Sequence, residues 1–259
     1  MTTTFKIIKK YWDTQAEKEG HLKNATIKDW YLRDLEVEAV KRYFKKTDLV
    51  LDVGCGNGDP TLQYSHFVKK IIGTDYSEKM IEKAREKAKK MKIINVEFLY
   101  ADARSLPFLD GTFDKVIISR VLINLPDVVS KEKIIREAAR VLKKGGLCIL
   151  LEATLQGHKN TNKIRRKFGL NDLKKHWHNA YVDEETMSEF IQKFFNIVST
   201  YRFSTYMFIS KLLYPLIIVP REPKFLSKFN KVAAEISKTI PEIGNCDIGH
   251  NLMWVLEKT

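Results

Sequence analysis

LVLDVGCGNGDP, residues 49–60, decides the fold. An apolar run carries one acid, Asp52, into three glycines, Gly54, Gly56 and Gly58, that alternate with other residues. The run reads as a short buried strand, and the glycines as a loop whose backbone comes close to a ligand. Asp59 followed by Pro60 predicts an N-cap and first helical position, opening a helix through about Lys69. A strand, a glycine loop and a helix in that order begin an open parallel sheet. Ligands of such sheets bind beyond the C-terminal ends of the strands, where the strand order switches.

The pattern repeats downstream. KKIIGTD (69–75) reads as a strand, and Ser77 caps a helix with Met80, Ala84, Ala88 and Met91 on one face. NVEFLYAD (95–102) and GTFDKVIISR (111–120) are strands. Ile134, Ile135, Ala138, Val141 and Leu142 mark a helix ending at Gly145-Gly146, and LCILLE (147–152) is a fifth strand. A helix near 183–195 precedes a strand at NIVSTYRFSTY (196–206), and NLMWVLEK (251–258) is the last strand. Strands alternating with helices predict an α/β fold with a doubly wound, mostly parallel sheet. The N-terminal 44 residues read as helical, with Thr26 and Asp29 in a capping-box pattern before Leu32, Leu35, Ala39, Val40 and Tyr43. In KFLSKFNKVAAEISKT (224–239), Phe225, Phe229, Val232, Ala233 and Ile236 form an apolar stripe, usually a core face and otherwise a membrane-surface one. The organisation expected is a helical cap at 1–46 and one α/β domain at 47–259, with insertions at about 154–182 and 207–244.

Composition narrows the class. The 259 residues are 44% hydrophobic, enough for a sizeable core. Cys55, Cys148 and Cys246 are too few and scattered for a disulfide framework. MTTTFKIIKKYWDTQ lacks the apolar core of a secretory signal, and LLYPLIIVP (212–220) is far too short to span a bilayer, so a cytoplasmic location is expected. The net charge is +13, and much of it lies in two segments. Residues 154–182 hold seven basic residues against Asp172 alone, and residues 207–240 hold six against Glu222 and Glu235. That excess reads either as a lysine-rich compositional bias or as a surface for an anionic substrate.

The glycine loop spells G-x-G-x-G, whereas a pyrophosphate reader wants G-x-G-x-x-G. Asp52 and Asp59 flank it, and carboxylates there repel a diphosphate by roughly 4 kcal/mol per charge pair at 4 Å and an effective dielectric near 20. A ligand with cationic groups fits better. Here the sequence resembles the class I S-adenosylmethionine-dependent methyltransferase family over most of residues 47–152. LDVGCGNG resembles the family's cofactor loop, which implies that Asp52 supports it and Gly54, Cys55 and Gly56 lie against the methionine part. IIGTDYS resembles the second motif, with Asp75 receiving the ribose hydroxyls and Tyr76 beside the adenine. ADARSLPF resembles the third, with Asp102 and the Ala103 amide reading the adenine edge. FDKVIISRVLINLPD places Ser119 and Arg120 at the methyl-transfer site, and ARVLKKGGLCIL matches the turn into strand five. The resemblance implies S-adenosyl-L-methionine as cofactor and a seven-stranded sheet whose last strand is antiparallel. It also implies that the N-terminal helices and the insertion cap the substrate site.

A methyl on a sulfonium is already activated, so catalysis needs mainly alignment, with a general base for a hydroxyl acceptor. The candidates are His176 and His178 in KKHWHNAY (174–181), and Arg120. The two histidines read as packing residues, as substrate contact or base, or as a metal pair. No further ligand cluster stands beside them, and no metal is expected. Arg120 reads equally as an anion contact or a structural ion pair. Trp12, Trp30 and Tyr31 read as core or as a cover over the cofactor, and Arg33 as a partner for the methionine carboxylate. No NPPY or DPPY tetrapeptide, which in this family marks methylation of planar amines, follows strand four. The expected function is methylation of a small, phosphate-bearing metabolite, such as a sugar nucleotide, lipid-linked sugar or lipid-like acceptor. The rivals are an RNA or protein side-chain methyltransferase and a non-enzymatic cofactor-binding protein. Acceptor atom, oligomeric state and membrane contact stay open.

Overall fold

The computed structural model describes residues 3–22, 25–219, 221–243 and 247–259. Cys246 lies outside them. Helices α1 (Thr3–Glu19) and α2 (Trp30–Lys41) precede β1 (Leu49–Val53), α3 (Asp59–Tyr64), β2 (Lys70–Asp75), α4 (Glu78–Met91) and β3 (Val96–Tyr100). Then follow β4 (Phe113–Ser119), α5 (Val128–Val141), β5 (Leu142–Ala153), α6 (Leu155–Lys167), α7 (Glu184–Gln192) and β6 (Phe195–Arg202). The chain closes with α8 (Ser204–Phe208), α9 (Tyr214–Ile218), α10 (Lys228–Thr239) and β7 (Asn251–Lys258). A π-helical turn at Ile209–Leu213 joins α8 to α9.

The seven strands form one sheet in the order β3-β2-β1-β4-β5-β7-β6. Only β7 runs antiparallel, to both β5 and β6. The order reverses between β1 and β4, so the crevice for a ligand opens there. Alternate residues of each central strand supply opposite faces. Leu51, Val53, Val116, Ile118, Cys148 and Leu150 pack with α5 and α7 on one side. Val50, Ile117, Ile149 and Leu151 pack with α2, α8 and α10 on the other. Both faces are covered, which is why these strands read as unbroken apolar runs.

Several boundaries differ from the sequence reading. Asp29, and not Thr26, caps α2, its carboxylate accepting from Leu32 N–H. Gly58 (φ 78°) is the N-cap of α3, and Asp59 sits in the first turn beside Lys87 at 2.8 Å. That helix stops at Tyr64 and tightens into a 3₁₀ turn, Ser65–Phe67, because the chain must reverse into β2. Helix α5 ends at Val141, before the glycine pair. Those glycines lie in a bulge, where the β4 pairing jumps from Phe113–Leu142 to Lys115–Leu147. Residues 204–206 are helical, so β6 ends sooner than expected. In α10 the buried residues are Asn230, Ala233, Ala234 and Ser237. Phe225, Val232 and Ile236 of the expected stripe face solvent, and only Ala233 of it is fully buried.

Candidate active site

A cavity of about 480 Å³ opens at the C-terminal ends of the central strands, a size typical of small-molecule sites. Its lining includes Asp52, Gly54, Cys55, Gly56, Asp75, Tyr76, Asp102, Ala103, Ser119, Arg120, His176 and His178. The structure thus gathers the expected residues around one space.

The glycine loop forms its floor. Gly54 and Cys55 donate their N–H groups to Thr74 O at 2.7 and 2.9 Å. Gly54 has φ 71°, and a Cβ there would stand 2.3 Å from Val121 Cγ2. Both the backbone and the space therefore demand glycine. Asp52 is buried beneath the loop and accepts from Thr61 Oγ1 at 2.6 Å. Burial pushes its carboxyl up to about 7. Asp75 ends β2 and accepts the N–H groups of Gly56 at 2.9 Å and Ser77 at 2.8 Å. Burial still holds it up at about 6. Each of its oxygens keeps a lone pair beyond those bonds. A buried acid in that condition gains from further donors, which a pair of ribose hydroxyls would supply.

Around it stand the walls of an aromatic slot. Tyr76 packs on Phe5 with ring centroids 5.3 Å apart. Its buried hydroxyl has no hydrogen-bond partner among the described residues. Asp102 is turned onto Arg104, whose Nη2 and Nε lie 2.6 and 3.0 Å from its oxygens. The same guanidinium stacks over Phe5 at 4.3 Å. Arg33 reaches in from α2, with Nη1 3.4 Å from Ser119 Oγ, and its buried Nε, 3.8 Å from Glu36 Oε2, makes no hydrogen bond among the described residues. An amino-acid carboxylate would answer that guanidinium, and these orphaned polar atoms fit S-adenosylmethionine as a ligand. Helix α1 covers the slot. Its Asp13 accepts from Ser77 Oγ at 2.6 Å, and Trp12 Nε1 donates to Asn124 Oδ1 at 3.3 Å. Of the three aromatics weighed as a cover, Trp12 lines the cavity, and Trp30 and Tyr31 are absent from its lining.

The far wall carries a different chemistry. Arg120 follows β4 in the left-handed region at φ 58°, a strained setting for a non-glycine residue. Glu152 fixes this turn by accepting from the N–H groups of Val121, Leu122 and Ile123 at 2.8, 2.7 and 3.2 Å. The Arg120 guanidinium pairs with Glu36, so it lines the cavity with its charge already partnered. His178 packs against Tyr11 at 4.6 Å and Trp12 at 5.6 Å, and burial lowers it to about 4. Tyr181 stacks on His250 with centroids 5.5 Å apart, and His158 meets the Tyr181 ring edge-on at 5.1 Å. Burial, helped by Arg120 and Lys211, lowers His250 to about 3. The Nδ1 atoms of His158, His178 and His250 are buried without a hydrogen-bond partner among the described residues. Among the described residues no group of three or more His, Cys, Asp or Glu could hold a metal.

His250 and Tyr181 escaped the sequence reading, yet one signal was available. A final strand antiparallel to β5 starts at the ligand edge of the sheet, so the residue before it belongs to the site.

Sheet order, glycine loop and strand-end acids together define a class I methyltransferase fold with its cofactor crevice. A family model described as a methyltransferase domain matches residues 44–196, and the chain belongs to that family of S-adenosylmethionine-dependent enzymes. It is 40% identical over 121 residues to a demethylmenaquinone methyltransferase of Lactococcus lactis, covering 45% of this chain and 47% of that one. It is 40% identical over 112 residues to the ubiquinone/menaquinone biosynthesis C-methyltransferase UbiE of Escherichia fergusonii, covering 42% and 43%. The chain thus spans about half the length of the curated relatives it matches. A solved SAM-dependent methyltransferase of Methanosarcina mazei superposes with a TM-score of 0.57 at 18% identity, covering 85% of this chain and 96% of that one. At that identity the likeness shows the fold alone.

Proposed function

We propose that this chain transfers a methyl group from S-adenosylmethionine to a small acceptor that carries a planar, acidic ring. One feature carries the reading: the far wall joins flat aromatic surfaces to cations, and its two buried imidazoles, His178 and His250, are poor bases. His178 at about 4 and His250 at about 3 are neutral and weakly basic at pH 7. An acceptor that needed its proton removed would find little help from them. An acceptor that arrives already ionised needs only to be held: exposed Lys174 borders the space for it, and Arg120 and Lys211 line it while paired with Glu36 and Asp29. The stacked Tyr181 and His250 rings offer a face for a planar group. When bound, S-adenosylmethionine supplies a methyl carbon activated by its sulfonium. Asp75 would then hold the ribose, Arg33 the amino-acid carboxylate, and Phe5 with Tyr76 the adenine. Helix α1 would shut out water. The curated relatives are named for quinone acceptors, and a hydroxylated quinone has the ring and acidity described. The overlap with them reaches less than half of this chain, which is why the far wall carries the proposal.

A second reading, a phosphate-bearing metabolite, draws support from exposed Lys174 and Lys175 beside the cavity. Much of the basic excess nearby is already engaged. Arg166 pairs with Asp172, and Arg165 donates to the carbonyls of Asn171 and Lys211. Transfer of labelled methyl to a panel of hydroxyquinones, sugar nucleotides and tRNA decides the matter. The expected label is on the ring compound. Label confined to the sugar nucleotide or the RNA overturns the proposal. RNA binding would also weaken steeply with salt.

A further inference from the structure

We propose that α9 and α10 form a docking face for an anionic lipid bilayer surface, next to the mouth of the cavity. Helix α10 is built the wrong way round for a core helix. It buries two alanines with Asn230 and Ser237, while Phe225, Val232, Ile236 and Ile240 are 46%, 56%, 40% and 54% exposed. At 100° per residue, Phe229, Val232 and Ile236 of α10 fall on one stripe with Lys228 along its flank, and Phe225 and Ile240 lie just beyond the two helix ends. Helix α9 extends the patch. Tyr214 stacks on Phe229 with centroids 4.7 Å apart, and Ile217 beyond it is 68% exposed. A contiguous apolar surface of this kind on a folded domain marks an interaction site.

The flanking charge selects the occupant. Lys228 and Lys231 are exposed on α10, exposed Arg221 and Lys224 precede it with Glu222 between them, and Lys238 is paired with Glu235. An apolar stripe edged by lysines is the pattern of a helix lying in a headgroup layer, its side chains in the acyl boundary and its ammonium groups on lipid phosphates. A second copy of the chain fits poorly, because a two-fold contact would set this basic flank against itself. No helix among the described residues is long and apolar enough to cross a membrane, so the contact is with the surface. The patch is continuous with the cavity. Lys211 Nζ sits 4.8 Å from the centre of the Phe225 ring, and both residues line the cavity mouth. A lipophilic acceptor could therefore pass from bilayer to site without crossing water. That use rests on the proposed function, whereas the docking itself is read without turnover, so the two fail separately.

Co-sedimentation with vesicles of phosphatidylcholine, alone or mixed with phosphatidylglycerol, tests the face. The intact chain should pellet with the anionic vesicles and be released by salt. Lys228→Gln and Lys231→Gln should each weaken binding roughly five-fold. Val232→Gln with Ile236→Gln should weaken it about ten-fold or more. Circular dichroism and S-adenosylmethionine affinity should stay unchanged, since none of these residues lines the cavity. Absence of pelleting, equal pelleting by all variants, or a dimer in analytical ultracentrifugation that Ile236→Gln dissociates would each overturn the proposal.

Discussion

Asp75 shows how much one carboxylate decides. It sits at the end of β2, accepts two backbone N–H groups, and is still held up to about 6 by burial. With Asp75 as the proposed ribose acceptor, the charged form accepts both hydroxyls best, so cofactor binding below pH 6 should expel a proton. The dissociation constant for S-adenosylmethionine should tighten about ten-fold per pH unit on rising toward 6, then flatten. Calorimetry at pH 5, 6 and 7.5 measures this, and a constant affinity across that range refutes it. Asp75→Asn keeps the shape and loses the charge. It should cost roughly 1–3 kcal/mol of cofactor affinity at pH 7.5 and abolish the pH dependence. A strand-end acid is by itself most often a turn or cap residue, and Asp75 was singled out because IIGTDYS resembles the second motif of the family; the structure places it in the cavity lining. The capture of Asp102 by Arg104 was not legible, since nothing in the residue types says which donor an acid at a turn will take.

Among the elements, those with a strong local pattern were readable and those set by competition were not. Every strand of the sheet was visible: burial on both faces leaves an apolar run in the central strands, whereas the edge strands β3 and β6, largely exposed, were placed by the alternation of strands and helices. The start of α2 was misread because Thr26 and Asp29 are both competent caps, and only the docked position of the helix selects Asp29. The α5–β5 junction was misread because Gly145-Gly146 serves a bulge as well as a helix end. Helix α10 was misread because periodicity finds an apolar face without saying whether anything covers it. The turn after β4 had no local signature at all, since its anchor, Glu152, comes from the neighbouring strand. Glu152→Gln replaces one acceptor oxygen with a donor that faces backbone N–H groups. The loss should be roughly 1–3 kcal/mol of stability, read as a lower urea midpoint. The strained Arg120 conformation should relax with it, so turnover should fall more than cofactor affinity. An unchanged midpoint would mean that the turn holds itself.

For the whole molecule, buried titratable groups set a pH profile with two opposing arms. Asp52 and Glu152 are raised by burial to about 7 and Asp75 to about 6. The native state keeps their protons where the denatured chain, with ordinary values near 4, has released them. Their stabilising contribution is full below about pH 4 and is lost as pH rises through 6 and 7. The imidazoles work the other way. His178 is lowered to about 4, His250 to about 3, and His158 is lowered too, each first by burial. The denatured chain charges them below about 6.5 and the native state does not, so stability falls as pH drops below 6.5. Acids lowered by hydrogen bonds or ion pairs, such as Asp114, Asp127 and Asp183, act only below about pH 4. From pH 4.5 to 6 the raised acids, Asp59 among them, pull against the lowered imidazoles, so the two arms offset and the cofactor-free protein should hold close to a plateau. Above 6.5 the histidines fall silent, and stability should drop by roughly 1–2 kcal/mol to pH 7.5 as Asp52 and Glu152 ionise. His250→Phe removes one arm. It should gain roughly 2 kcal/mol relative to the parent on going from pH 7.5 to 4.5, turning the plateau into a steady decline with rising pH. Urea midpoints at pH 4.5, 6 and 7.5 measure both profiles. Parallel profiles would show that His250 titrates alike in the native and denatured chain, and the weakly basic far wall on which the proposed acceptor rests would fall with it.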